Sequence, residues 1–523
     1  MKEFARTRWY LAIVLTVFVV CKLPHLDLAF YWDESWPYAA AIKTMYRDGI
    51  SILPDALDPE LSKGHPLLFH AAAASWMKLF GPSNIAVHSF ALFVSMLCLT
   101  AVYEAALRLF NIRVAILAVT MLATQVIFFV QAAFLLPEVF IALLALWSIY
   151  YYVRGNYGAT ALLLTLLFLS KESGLVLGCI LGVDGIVSII SNKNSRRASL
   201  YKIASVIVPC LIIAGFFFIQ KLQRGWFLYP EHIGYMHLQW DHFYYDFKVS
   251  VLYSLFCGDT RYYLFIVLLI LSLAAAIKNK SPKYFVPGIP AFFIYYLVDD
   301  MRSGRLLPGI PFFILFVIAL CFTLYVLVKK KIIDTPVQAR FIVLSWAFMF
   351  LFCCFSALNF FTPRYIIIAL APLLLFAAAM TDKMVRLTYY SLFYPALIAI
   401  FITAFFAFRE STGRGDTNMG AFDGVAVQQK TVDFFEQHAY YDKQIAAGSF
   451  LNLAHLQHPE CGFTRSGKGF KNTRWAIDSL TEFVVFDNVD PDYRYNEVLT
   501  GGQFKQVYRF QKDSLWCEIY QRR

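Results

Sequence analysis

Six short stretches of the sequence place ionisable side chains against apolar runs, and their residue types suit proton transfer and phosphate binding. Asp33 and Glu34 stand side by side after Tyr31 and Trp32. Such a pair either caps the short helix expected over residues 35–46 or supplies a general base that takes a proton from a hydroxyl. Lys63 lies in the run Ser62, Lys63, Gly64, His65, Pro66, Leu67, ahead of an apolar stretch. Its ammonium could snorkel to lipid headgroups, or hold a phosphate beside a helix N-terminus. Glu138 follows Pro137 at the start of an apolar run, where capping and catalysis are equally open. Lys171 and Glu172 interrupt another apolar run. Arg302 and Arg305 stand next to Asp299 and Asp300, a pattern that makes a local ion-pair cluster. Arg364 has no acidic neighbour in sequence and is the better phosphate ligand, because a guanidinium forks onto two phosphate oxygens.

The elements that must position these residues are membrane helices. Of the 523 residues, 59% are hydrophobic and only 15% charged, and the mean hydropathy is +0.57. Soluble domains run at about 45–50% apolar and about 25% charged, so a soluble enzyme is excluded. The formal charge of +11 comes from short Lys and Arg clusters between apolar runs, which reports topology and not a nucleic-acid partner.

Residues 1–8 carry Lys2, Arg6 and Arg8 ahead of the apolar run 9–23 and read as an uncleaved signal anchor with a cytoplasmic N-terminus. Further apolar runs fall near 84–107, 113–131, 135–153, 158–170, 174–190, 201–220, 262–277, 284–298, 306–328, 340–360, 365–380 and 389–408. Thirteen crossings follow, with the C-terminus outside. Every loop expected in the cytoplasm then holds Lys or Arg, as the positive-inside rule asks: Arg108 and Arg113, Arg154, Lys193 with Arg196 and Arg197, Lys278 to Lys283, Lys329 to Lys331, Lys383 and Arg386. That alternation requires the run around Lys171 to fold into two short helices. Four sets of ionisable residues then border one face, where charge close to hydrocarbon is usually kept for function.

Three outer segments are long enough to carry chemistry. Residues 24–83 include an apolar stretch, 67–80, expected to lie along the membrane face. Residues 221–261 are dense in aromatics, among them Tyr229, Trp240 and Tyr244, and read either as an interfacial belt or as a substrate gate. The tail, 409–523, has nearly balanced charge and is expected to be a separate soluble α/β domain, with a helix over 425–438, a strand over 482–486 and a two-stranded hairpin over 506–520. The fold class is thus an all-α polytopic membrane protein with a small C-terminal α/β domain. Cys461 and Cys517 in that tail could pair if it faces an oxidising compartment.

In order and sidedness the motifs YWDES, KGHPLLFH, LLPEVF, LSKESG and TPRYIIIALAP, followed by a soluble tail, resemble the GT-C glycosyltransferases, nearest to the protein O-mannosyltransferases and lipid A aminoarabinose transferases. The resemblance covers residues 9–408 as an architecture, with sharp matches at Asp33 with Glu34 and at 63–67; His65, Pro66 and Leu67 stand where relatives commonly have two prolines. It implies inverting transfer of a sugar from a polyprenyl phosphate, with Asp33 as base, Glu138 near the reacting centre, and Lys63 and Arg364 on the donor phosphate, joined by Lys171. His65, Tyr229, Trp240, Tyr244, Arg302 and Arg305 are the candidates for substrate contact or gating.

No P-loop or Rossmann glycine pattern is present, so no nucleotide cofactor is expected. A divalent metal is left open, since His65, Glu138 and the Asp33/Glu34 pair could gather one without a spacing that demands it. The expected partners are a polyprenyl-phosphate-linked sugar, an acceptor hydroxyl on protein, lipid or glycan, and membrane lipids. The one Asn-x-Ser/Thr sequon, at Asn279, falls in an expected cytoplasmic loop, which favours a bacterial inner membrane with undecaprenyl phosphate as carrier and a periplasmic C-terminal domain. A lipid-linked sugar transporter is the alternative, disfavoured because no inverted repeat and no interrupted pair of charged helices is visible.

Overall fold

The computed structural model describes residues 2–191, 196–236, 239–259, 261–303, 309–409 and 415–523. Helices stand at every apolar run: α1 (Lys2–Lys22), α2 (Leu68–Phe80), α3 (Asn84–Leu109), α4 (Ile112–Ala123), α5 (Glu138–Val153), α6 (Tyr157–Ser170), α7 (Leu175–Ser191), α8 (Arg196–Arg224), α9 (Arg261–Lys278), α10 (Ile289–Ser303), α11 (Gly309–Lys329), α12 (Pro336–Ala357), α13 (Ile367–Thr388) and α14 (Phe393–Arg409). Local signals set their ends. The Ser83 and Asn111 side chains accept from the first free N–H groups of α3 and α4, and Thr335 with Gln338 forms a capping box around Pro336. Among the described residues, eight helical stretches are long and apolar enough by themselves to cross a bilayer, and α4, α5, α6 and most of α14 are shorter apolar helices. The chain is a multi-pass membrane protein.

The long run around Lys171 divides as its charge requires. Lys171 is extended between α6 and α7, and Gly174 and Gly178 lie against Leu167 and Phe168, where a Cβ would stand 2.6 Å from either side chain. Stretch 67–80 forms α2, whose Phe69, His70, Ala73, Ala74 and Met77 are buried; it packs against the helix Ala40–Asp48 and against α3. Expected as one helix, 35–46 is instead a short irregular turn, Ser35–Ala39, followed by Ala40–Asp48, because Trp36 takes an extended conformation before Pro37.

The C-terminal part is a small sheet domain. Its five strands, β1 (Ile445–Ala447), β2 (Thr473–Arg474), β3 (Phe483–Asp487), β4 (Phe504–Lys512) and β5 (Leu515–Arg522), run in the order β2-β1-β3-β5-β4. β1 is parallel to β2 and β3, while β5 is antiparallel to β3 and β4. The helix Gly420–Gln437 packs on β4 and β5. The other face of the sheet buries Ala446, Val484, Phe486 and Tyr520. The pairing allowed for Cys461 and Cys517 does not occur. Both are free, because the Cys461 thiol sits in the contact with Ser35 while Cys517 lies inside the sheet opposite Asp487 and Phe510.

Candidate active site

Asp33, Glu138, Lys171 and Arg364 come from the segment after α1, the start of α5, the break after α6 and the turn before α13, which chain alternation brings to one end of the bundle. They border a cavity of about 300 Å³. The opposite end of the bundle holds other ion pairs, such as Arg8 with Glu104 and Asp184 with Lys202 and Arg340.

Arg364, in the turn Pro363–Ile366, is the hub. Its Nη2 donates to Asp33, its Nη1 donates to Asp416, and its Nε lies 3.6 Å from Glu138 Oε1. Lys171 donates to the same Glu138 oxygen at 3.1 Å and stands over the Tyr365 ring. Burial pulls the Lys171 ammonium toward neutrality, but the Glu138 carboxylate, with Tyr365, Tyr38 and Glu172, outweighs it and raises its pKa, so Lys171 stays charged. Burial raises the Asp416 carboxyl above its ordinary range, Asp33 and Glu138 push the same way, and Arg364 opposes them. Asp33 keeps 42% of its side chain exposed, in the cavity wall. A partly exposed carboxylate and two buried cations thus share one wall.

Asp33 and Glu34 part company. Glu34 is fully buried and points away, bonding His88 Nε2 at 3.0 Å and accepting from the Tyr31 and Leu135 backbone N–H groups. It braces the turn that presents Asp33 and does not line the cavity, unlike the catalytic place it was expected to share. Lys63 pairs with Glu231 at 3.1 Å, and His65 Nδ1 lies 2.9 Å from Glu172. All four line the cavity.

Only part of the aromatic segment lines the cavity. Tyr229 packs on Gly64 and under Lys63, and carries Glu231, His232 and Tyr235 into the cavity wall. Trp240, 69% exposed, stacks with Tyr244, which packs on Phe313 of α11, and neither lines the cavity. The side chain of Arg302 and the whole of Arg305 lie outside the described residues.

Sequence reasoning passed over His70, Tyr38 and Asp416. His70 is buried in the wall with Tyr38 stacked on its ring at 5.3 Å, and burial pushes it down to about 3, so it is neutral. Its place in KGHPLLFH, on the buried face of α2, was the available signal. Asp416 had none, since its partner is 52 residues away. Among the described residues no group of three or more His, Cys, Asp or Glu is arranged to hold a metal ion; at Arg364 the carboxylates surround a guanidinium.

Fold and site together define a polytopic membrane protein with a cavity lined by charged and polar side chains at one end of the bundle and a sheet domain beside it. No protein-family model matches the chain, and no curated protein matches its sequence. Among solved structures, it is similar to ArnT from Cupriavidus metallidurans in the apo state, with 14% identity and a TM-score of 0.50, over 99% of this chain and 98% of that one. The same ArnT bound to undecaprenyl phosphate gives 14% identity and 0.48, covering 98% of each chain. The oligosaccharyltransferase of Archaeoglobus fulgidus in complex with zinc and sulfate gives 11% and 0.41, covering 91% of this chain and 68% of that one. The fold of this chain is ArnT-like.

Proposed function

We propose that this protein is an integral membrane glycosyltransferase that moves a sugar from a polyprenyl phosphate to an acceptor hydroxyl on the extracytoplasmic face, with inversion. The observation that carries the reading is the meeting of Asp33 with Lys171 and Arg364 in one cavity whose other wall, Ile141, Phe352, Phe355 and Phe360, is apolar. The acceptor O–H proton passes to Asp33 as the acceptor oxygen bonds to the sugar's anomeric carbon from the face opposite the phosphate. The bond from that carbon to the phosphate oxygen breaks, and polyprenyl phosphate leaves with the electron pair. Lys171 and Arg364 offset the charge that develops on it. Arg364 holds Asp33 in an ion pair, so a phosphate that takes up Nη2 also releases Asp33 to act as base. The carrier is undecaprenyl phosphate if the membrane is a bacterial inner membrane, and the acceptor is a protein, lipid or glycan hydroxyl.

The test is release of label from radiolabelled polyprenyl-phosphate sugars by the purified protein with crude membranes as acceptor. Asp33→Asn is expected to lower the rate by about 10²–10⁴, the usual worth of a general base. Equal rates for wild type and Asp33→Asn remove Asp33 from the reaction, and labelled lipid that crosses liposomes without release of sugar replaces transfer by transport.

A further inference from the structure

The guanidinium of Arg364 is gripped from two directions, and one grip comes from the far end of the chain. We propose that Asp416, in the segment leading into the C-terminal sheet domain, is a positioning residue that fixes Arg364 so that its Nε–Nη2 edge receives the donor phosphate. The proposal rests on the polyprenyl-phosphate reading above.

Asp416 accepts from Nη1 but does not line the cavity, and only about 5% of it is exposed. Asp33 and Glu138, against Nη2 and Nε, do line it. Asp416 is therefore behind the guanidinium and the other two in front. It is itself anchored, for its backbone carbonyl accepts from Gln131 Nε2 at 2.6 Å, and Gln131 closes the buried helix Val126–Gln131. An arginine side chain has several rotatable bonds, and a carboxylate clamped on one terminal nitrogen removes most of that freedom before a ligand arrives.

The edge toward the cavity is also marked. Arg364 Nε and Glu138 Oε2 are buried and have no hydrogen-bond partner among the described residues. Unpaired polar atoms in a buried wall are costly, and a phosphate oxygen on Nε with a sugar hydroxyl on Glu138 would satisfy both. With Nη1 taken by Asp416, the side-on fork of Nε and Nη2 is the bidentate geometry left for phosphate. The C-terminal segment thereby supplies part of the donor site and does more than cover it.

Charge and positioning predict opposite signs. Removing the Asp416 charge should tighten anion binding if charge alone counts, and weaken it if Asp416 orients Arg364. The experiment is binding of farnesyl phosphate to the purified full-length chain in detergent, for wild type, Asp416→Asn, Arg364→Gln and the double variant. We expect roughly tenfold weaker binding for Asp416→Asn, and a double variant no weaker than Arg364→Gln alone, since coupled residues are not additive. Unchanged or tighter binding by Asp416→Asn overturns the proposal, as do losses that simply add. Should Asp416→Asn not fold, Gln131→Met removes the anchor while leaving every charge in place; weaker, non-additive binding is again expected, and unchanged binding overturns it. A wild type that binds no farnesyl phosphate overturns the donor reading, and the inference with it, whereas failure of the variants alone leaves that reading standing.

Discussion

Asp33 and Glu34 are consecutive, yet one faces the cavity and the other the core. The turn Trp32–Glu34 separates them, with Trp32 in the left-handed region at φ 56°. The sequence identified the pair but not the division, because which carboxylate is buried depends on His88 and Leu135, far along the chain. Glu34→Ala leaves a buried imidazole and two backbone N–H groups short of an acceptor. We expect it to cost about 1–3 kcal/mol in thermal unfolding, with a loss of transfer in the surviving folded protein far smaller than that of Asp33→Asn. Equal losses of transfer would give Glu34 a direct part in the reaction. Lys171 and Glu138 form a buried pair, with side chains 11% and 2% exposed. Lys171→Met leaves the carboxylate only Arg364 Nε, 3.6 Å away, and should destabilise by about 3 kcal/mol, the low end for a broken buried pair. Adding Glu138→Gln removes the stranded charge and should return part of that loss; a double variant no more stable than Lys171→Met would mean that the pair is not what holds these two elements together.

At the scale of elements, the segment 226–235 closes one wall of the cavity, and its hold on the site is legible as physics. Gly64 has φ +70°, and a Cβ there would meet both Trp226 and Tyr229 at 2.9 Å. Gly64→Ala is thus strained in backbone and in packing, and should lift 226–235 away from Lys63 and His65, seen as faster proteolysis of that segment. His232 is bound to the same contact. Burial, then the neighbouring His65 ring, lowers it to about 4 against Glu172 and Glu231. A histidine whose folded pKa is depressed gives full stability above its unfolded value of about 6.5 and loses it as pH falls toward the folded value. The segment should therefore loosen between pH 6.5 and 4 in hydrogen exchange, and His232→Phe should reduce that dependence; exchange in the variant that follows pH as in the wild type would assign the effect elsewhere. The aromatic density of 221–261 left belt and gate as alternatives, since the two share composition. Which aromatics lie near the cavity depends on contacts far along the chain, that of Tyr229 with Gly64 against that of Tyr244 with Phe313.

For the whole molecule, apolar runs and basic loops were enough to place every long helix, since a bilayer enforces length and composition together. The sheet was half visible. β4 and β5 run over nine and eight residues, whereas β1 and β2 have three and two and carry no period. Least visible was the docking of the sheet domain on the site. Phe30 N–H donates to the Cys461 carbonyl, Lys43 to the Glu460 carbonyl at 2.8 Å, Trp36 stacks on His458, and Asp416 pairs with Arg364. A tail with its own strands and helix suggests independent folding, yet one buried cluster runs from Leu11 in α1 through Phe435 to Ile519 in β5 without a gap. Shared apolar burial of this kind couples two units into one transition. Calorimetry of the full chain in detergent should then give a single unfolding peak whose midpoint does not move with reductant, because all ten cysteines are free. Phe30→Ala, at the seam between the turn and the sheet domain, should lower that one midpoint. A separate low-temperature peak in the variant, with the main peak unmoved, would instead mean that the sheet domain melts alone and that the seam is a docking contact.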